Sequence, residues 1–135
     1  MENPTNNPFY GVKFEYQSGT EIKDGLSDEF RFTLPVDVVN GMASIQLEAK
    51  AGEIVGQATL DGCPFNAFAP CDHSAESSGF TFAFQGAVDN GDGTMTLVFT
   101  VQNMNGYGLS HATFGLPGGV VPSNPSGSYQ SQVCP

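Results

Sequence analysis

Large apolar side chains alternate with small or polar ones along much of this chain. The clearest runs are residues 80–84, where Phe occupies every second position, and residues 95–101, where Met, Leu, Phe and Val do so. Because successive side chains on a strand point to opposite faces of a sheet, each run presents its large residues to one apolar core. The Asn-Gly and Asp-Gly pairs within residues 89–93 tolerate the positive φ angles of a tight turn. The pattern predicts a β-hairpin.

The same alternation predicts further strands, each bounded by turn-forming residues. These strands are 12–16, 30–34, 45–49, 54–60, 109–116 and a late run near 129–133. About eight short, mostly antiparallel strands are typical of an all-β sandwich, either Ig-like or jelly-roll-like. No segment sustains the apolar spacing of three and four residues that a helix needs, so helix is expected only in a turn near 36–40. An α/β nucleotide-binding fold is excluded.

The length of the chain is that of one domain. Its 135 residues can bury a sizeable core but leave no room for a second domain of ordinary size, so residues 1–135 are predicted to form a single β-sandwich domain. The stretch from Cys63 to Cys71, extended by polar residues 72–78, indicates a connector between two halves, 1–62 and 72–135. Residues 117–128, rich in Gly, Pro and Ser, predict a second long loop.

Charged residues are few and unbalanced, with 14 acidic against 4 basic side chains and a net charge of −10. Nucleic acids and anionic membranes bind clustered Lys and Arg, so neither is an expected partner. No run approaches the about 18 to 20 apolar residues of a membrane span, and membrane insertion is not expected. Residues 1–13 lack the features of a signal peptide, so a secreted protein is expected here in its mature or excised form. The abundance of Gly, Ser, Thr, Asn and Gln favours an extracellular location.

The residues of the turn at 89–93 are of the types that bind calcium. Asp89, Asn90 and Asp92 offer hard oxygen ligands in a glycine-rich loop, as the start of a calcium site does. The third spaced acid and the distant bidentate Glu are missing, and a hairpin turn requires the same residues. We therefore expect a bare turn and no cofactor, with calcium as the alternative.

Other metal centres are not indicated by the sequence. The two histidines, His73 and His111, are too few for a three-histidine centre. Cys63 and Cys71 lack the Cys-x-x-Cys spacing of structural zinc sites. No metal site is therefore predicted beyond the calcium alternative.

Ser110 and His111 are adjacent residues of the types that act as a nucleophile and its base. Adjacent residues on a strand face opposite ways and cannot form a hydrogen-bonded nucleophile and base, so a structural role is favoured. None of the 14 acidic residues stands out as a carboxylate pair for glycoside cleavage. We expect no catalytic residues and no enzymatic activity.

Aromatic side chains near predicted loops indicate carbohydrate binding as an alternative function. Phe9, Tyr10, Tyr107 and Tyr129 could stack on sugars, although aromatic residues near strand ends more often close a core. Carbohydrate binding is therefore kept as an alternative to a purely structural role.

Three cysteines in an extracellular protein allow one internal disulfide and one remaining thiol, or a bond to another chain. The pairing of Cys63 with Cys71 closes the shortest loop and is preferred, leaving Cys134 for a neighbouring copy. The pairing of Cys71 with Cys134 is the alternative.

Two blocks of sequence resemble a known kind of domain. Residues 96–117 read TLVFTVQNMNGYGLSHATFGLP, and residues 11–52 contain GVKFEY, SDEFRFTLP and IQLEAKAG. Together they resemble the β-sandwich domains of secreted, adhesin-like bacterial surface proteins. The resemblance implies an extracellular, non-enzymatic module of a surface protein. It also implies that Leu109, Ser110 and His111 form a buried structural motif.

The two blocks stand in reversed order relative to that family pattern. Either the chain starts midway through a repeat array, or the halves of neighbouring subunits complete one another, which is the interpretation we favour. The expected function is therefore an extracellular structural subunit that assembles into a filament or surface array by strand pairing or exchange. Its partners would be copies of itself or neighbouring domains of a surface protein. The alternative is an extracellular module for carbohydrate binding or calcium-dependent adhesion.

Overall fold

β-strands make up most of the structure, a computed structural model that describes residues 2–16, 21–42, 44–61 and 74–127. Within these residues there are ten strands and one short helix. In chain order the elements are β1 (Glu2–Thr5), β2 (Gly11–Glu15), β3 (Leu26–Pro35), α1 (Val36–Gly41), β4 (Ser44–Ala51), β5 (Ile54–Asp61), β6 (Ser74–Ser77), β7 (Phe80–Asp89), β8 (Thr94–Asn103), β9 (Leu109–Gly115) and β10 (Ser123–Gly127).

The strands form two five-stranded sheets. Sheet A has the order β1-β2-β9-β4-β5, and sheet B has the order β10-β3-β8-β7-β6. Every neighbouring pair is antiparallel. The predicted all-β sandwich is confirmed, as is the short helix after Pro35, but the described residues contain ten strands instead of about eight.

Three strands lie where the sequence predicts none. β1 and β10 contain Pro4 and Pro125, and β6 reads Ser-Ala-Glu-Ser, so none of them has the alternation of large apolar residues that marks a strand. They form because each pairs with a longer strand, namely β2, β3 or β7. β6 and β10 correct the prediction of loops at 72–78 and 117–128. The strand predicted near 129–133 lies outside the described residues.

The hairpin of β7 and β8 follows the predicted pairing. Its register runs from Phe80 opposite Asn103 to Asp89 opposite Met95, with an irregularity between Phe84 and Gly86. Asn90 to Gly93 form the connection, in which the glycines at 91 and 93 adopt φ angles of 79° and 88°. The glycines are required there because a side chain on either would strain a left-handed backbone.

The core between the sheets is built around the ring of Phe114. This side chain of β9 is fully buried and contacts Phe14 in its own sheet at a centroid distance of 5.8 Å. From sheet B, Phe30, Phe32 and Phe99 approach the same ring at 5.6, 5.6 and 5.1 Å. Their tilted or edge-on arrangement is the one that aromatic rings favour. One residue thus joins the two layers.

Asn103 holds together the loops at one end of the sandwich. Its side chain is completely buried, and its amide donates hydrogen bonds to the carbonyls of Ile22 (3.0 Å) and Tyr107 (2.8 Å). Its carbonyl oxygen accepts a hydrogen bond from the backbone of Asn105 (3.0 Å). A buried amide with these partners avoids the cost of an unpaired polar group and fixes both loops.

Both sheets contain strands from the two halves of the chain. β9, from the second half, lies between β2 and β4, whereas β3, from the first half, lies between β10 and β8. The sandwich therefore closes within one chain, and a neighbouring subunit is not needed to supply the missing half. This corrects the expectation that halves of different subunits complete one another. The connector from Cys63 to Cys71 lies outside the described residues.

We expect Phe114→Ala to lower the free energy of unfolding by about 3–5 kcal/mol, because it removes a ring that joins the two sheets. Urea denaturation of the two proteins measures the difference. Val121→Ala is the control, since Val121 lies in the loop before β10 with 54% of its surface exposed. Its effect should stay within about 0.5 kcal/mol. Similar losses in the two variants would contradict the central role of Phe114.

Candidate functional site

Polar and charged side chains form a cluster on the outer face of sheet A. Alternation along β4 turns Glu48 outward between the core residues Leu47 and Ala49. The register places Glu48 opposite Thr113 of β9 on one side and Gln57 of β5 on the other. Together with Lys13, which lies opposite Thr113 on β2, these residues form one row across the sheet.

Glu48 is the acceptor of this cluster. The Nε2–H of His111 donates to its Oε1 atom at 2.8 Å, and the Thr113 hydroxyl donates to the same oxygen at 3.5 Å. The side chains of Glu48 and His111 are 8% and 19% exposed. A buried carboxylate is stable only where such donors replace water. The cluster therefore cross-links β4 and β9 from the outside.

Ser110 and His111 have different hydrogen-bond partners. The Ser110 hydroxyl donates to the backbone carbonyl of Lys50 at 2.9 Å, while His111 binds Glu48. Thr113, the hydroxyl within the cluster, is completely buried and inaccessible to a substrate. The expectation of a buried Leu109-Ser110-His111 motif holds at Leu109 only, because Ser110 and His111 are partly exposed.

The candidate calcium ligands serve the β7–β8 turn. Asp89 accepts a hydrogen bond from the backbone of Gly91 at 2.9 Å, and Asp92 accepts from the backbone and the hydroxyl of Thr94 at 3.1 and 2.5 Å. The side-chain amide of Asn90 donates to the Thr94 hydroxyl at 3.1 Å. Nowhere in the described ranges do three His, Cys, Asp or Glu residues come together as a metal site.

Hydrogen bonds from Thr94 also change the acidity of Asp92. The hydroxyl of Thr94, and then its backbone N–H, hold the pKa of the Asp92 carboxyl below its ordinary value of 3.8. Both donors stabilise the charged form of the carboxylate. The turn is therefore favoured while Asp92 is ionised.

The aromatic residues considered for sugar binding are separated in the structure. Tyr10 donates its hydroxyl to the carbonyl of Val120 at 2.9 Å and packs against the core. Tyr107 lies in the loop before β9, where its ring covers Gly52. Phe9 lies near the other end of β9, beside Gly115. Tyr129 lies outside the described residues. Phe9 is thus the aromatic residue that the structure places on the outer face of sheet A.

Phe9 borders a groove that the sequence did not reveal. Two adjoining cavities, of about 380 and 150 Å³, share Gln46 of β4 and Thr59 of β5 in their walls. Phe9 and Gln57 line the smaller one, and Gly115 lines the larger. We call this surface, defined by these five residues, the Gln46 groove. None of its residues is charged. A separate cavity on sheet B, of about 310 Å³, is lined by two charged residues, Arg31 of β3 and Asp92 of the β7–β8 turn.

Several predicted features lie in parts of the chain that are not described. Cys63, Cys71, Cys134 and His73 are among them, so the predicted disulfide pairings stay predictions. In the described part of the chain, no helix has the length and apolar character needed to cross a bilayer. Searches among protein-family models, curated proteins and solved structures give no match to this sequence or fold.

We expect Glu48→Ala to lower the free energy of unfolding by about 1–3 kcal/mol, because it leaves His111 and Thr113 without their acceptor. Glu48→Gln should cost less, since the amide oxygen still accepts a hydrogen bond. Urea denaturation measures both variants. The control is Glu29→Ala, which breaks the exposed ion pair of Glu29 with Arg31 at 2.7 Å and should change stability by less than about 1 kcal/mol. An equal loss in Glu29→Ala would contradict a special role for Glu48.

Asp92→Asn tests the acidity of the turn. Because the pKa of Asp92 is lowered in the folded state, its ionisation stabilises the fold above the ordinary pKa of aspartate, and this contribution is lost as the pH falls through the folded-state value. Wild type should therefore melt higher than Asp92→Asn near neutral pH, and the difference should disappear in acid. In a Thr94→Val background the difference should shrink. A difference that is constant with pH would contradict this assignment.

Proposed function

We propose that this chain is a non-enzymatic extracellular structural subunit that associates with copies of itself by strand pairing at the outer edge of β5. The sandwich closes within one chain, so assembly does not have to complete the core and can proceed by adding strands to an existing sheet. The resemblance to surface-protein domains and the polar, sparsely charged composition support an extracellular, structural role.

The character of β5 is the observation that carries the proposal. It is an eight-residue edge strand with neither a charged residue nor a proline between Ile54 and Leu60. The edges formed by β1 and β10 carry Pro4 and Pro125 and have irregular register, and β6 is only four residues long. Proline, bulges and short length protect an edge from pairing with another chain. β5 has none of these protections.

The backbone of β5 has donors and acceptors directed outward. The tight turn at Gly52 and Glu53 places Ile54 opposite Ala51. Because the backbone groups of every second residue bond to the neighbouring strand, the N–H and C=O groups of Gly56 and Ala58 point toward β4. Val55, Gln57 and Thr59 then direct their backbone groups to the outer edge. The N–H of Gln57 does so, because it donates to the Ser77 hydroxyl at 3.2 Å. Ser77 of β6 therefore occupies one outward donor in the middle of this edge, and a pairing copy would replace that hydrogen bond. No described strand pairs with β5 on this side.

The polar cluster on sheet A supports a role without catalysis. His111, Glu48 and Thr113 are hydrogen-bonded to one another, and Ser110 is bonded to the backbone. These contacts tie strands together and do not form a pocket around a reactive group. A second candidate function, carbohydrate binding, is favoured by the Gln46 groove and its aromatic border.

The edge is tested with Val55→Pro and Val55→Lys. Val55→Pro removes a backbone donor that faces the outer edge and not β4, and Val55→Lys adds a charge at that edge. Both variants should keep the fold but lose pairing with another copy. Val55 is 44% exposed. Wild type should form regular fibres or larger species in negative-stain electron microscopy and sedimentation, whereas the variants should be single particles.

The matched control is Val121→Lys, which makes the same change of charge at a residue 54% exposed and outside the strands. It should assemble like wild type. Reductant is present throughout, so that disulfide-linked species are not counted as strand pairing. A wild-type protein that stays monomeric at every concentration tested would overturn the proposal, as would normal assembly of the two Val55 variants.

A further inference from the structure

The Gln46 groove begins with a row of three positions across sheet A. Gln46 stands directly opposite Thr59 in the β4–β5 register. On the other side of Gln46 lies Gly115 of β9, where a Cβ atom would be only 3.2 Å from the Cβ of Gln46. An amide and a hydroxyl thus stand beside a position that has no side chain. The missing side chain makes the surface concave at this point.

Phe9 forms the wall of the groove above Gly115. A Cβ atom at Gly115 would also lie 3.2 Å from the Cε1 atom of Phe9. The Phe9 ring therefore packs against position 115, and a side chain there would press on the ring. The segment that carries Phe9 is fixed on its other side. The N–H of Leu116 donates to the carbonyl of Tyr10 at 2.9 Å, and the Tyr10 hydroxyl donates to the Val120 carbonyl at 2.9 Å. The residue next to Phe9 is therefore anchored to the end of β9 and the loop after it before any ligand arrives.

The groove is uncharged in a protein whose net charge is −10. Its polar side chains are Gln46, Gln57 and Thr59, which both donate and accept hydrogen bonds. Two acids flank these residues in register: Glu48, opposite Gln57, is buried and bound to His111, and Asp61 lies opposite Ser44 at the end of β5. None of the described residues that line the groove offers a counter-ion to a charged ligand, whereas the amides and the hydroxyl match the groups of a hydroxyl-rich neutral ligand.

The size and shape of the groove fit the same class of ligand. Its larger cavity, of about 380 Å³, lies within the roughly 300–1,000 Å³ typical of small-molecule sites. The aromatic wall, Phe9, belongs to the adjoining cavity of about 150 Å³, where its ring suits the C–H face of a sugar beside two amides and a hydroxyl. This combination distinguishes the Gln46 groove from the cavity on sheet B, where Arg31 and Asp92 are present.

We propose that the Gln46 groove binds a neutral saccharide, with Phe9 stacking on a sugar ring and Gln46 and Thr59 hydrogen-bonding its hydroxyls. This inference rests on the second candidate function, carbohydrate binding, and is independent of assembly through β5. It assigns a ligand class and a location to that function.

The experiment is a glycan array that carries neutral, sialylated and sulfated glycans, followed by calorimetric titration of the neutral glycan that binds best. We expect binding to neutral glycans and none to the charged ones. Phe9→Ala should weaken the affinity about three- to tenfold, since one ring contact is lost. Gln46→Ala should have an effect of the same size, since hydrogen bonds of an exposed side chain are lost.

Matched controls separate the groove from the rest of the surface. Tyr107→Ala removes an exposed aromatic ring at the opposite end of β9, and Gln85→Ala removes an exposed glutamine that donates to Thr100 on sheet B. Both should bind like wild type. Because Gln46 is exposed, Gln46→Ala should melt like wild type, which keeps the test valid if Phe9→Ala folds poorly.

Two results would overturn the proposal, and they are distinguishable. The groove assignment would be wrong if glycan binding is unchanged in folded Gln46→Ala and Phe9→Ala, or if only charged glycans bind. Carbohydrate binding would then remain as a function, with its site elsewhere. The absence of binding to every glycan would overturn both the groove assignment and the second candidate function. Assembly through β5 is decided separately by the Val55 variants.

Discussion

The contact of Phe114 with rings of the opposite sheet is the interaction on which the rest of the structure depends. β9 lies in the middle of sheet A, between β2 and β4, and its inward ring meets three phenylalanines of sheet B. The same strand presents His111 and Thr113 outward to Glu48. The position of β9 therefore fixes both the core and the outer face of sheet A. Its partners in β2 are about a hundred residues away along the chain, so this order is established only when distant segments meet.

Much of this fold could be predicted because most strands carry a strong local pattern. Phe80 and Phe82 alternate as predicted and are fully buried. Phe84 continues the same pattern but is only partly buried; it adjoins the register irregularity before Gly86, and its ring packs on Phe99 at 5.4 Å. Strands such as β1 and β10 exist only through their partners, and a proline in each hides them from any local rule.

The candidate sites also include features set by local sequence and features set by contacts between distant segments. The turn at Asp89 to Asp92 and the separation of Ser110 from His111 follow from local geometry, and both could be derived from the sequence. The pairing of Glu48 with His111 could not, because it depends on the register between β4 and β9. The Gln46 groove was equally hidden, since it requires the loop of Phe9 to lie beside strands that come much later in the chain.

The outer face of sheet A also explains how a strongly acidic protein can offer neutral surfaces. In the row of Lys13, Thr113 and Glu48, charged groups are buried and Glu48 is bonded to its neighbours, whereas the row of Gly115, Gln46 and Thr59 holds no charge. A neutral surface imposes no cost of removing water from an ion when a ligand or strand approaches. β5 borders both proposed sites. Its side chains project from the sheet into the groove, whereas its backbone groups lie in the plane of the sheet and face the edge. A second copy paired at that edge would therefore extend the sheet beside the groove and leave its opening free.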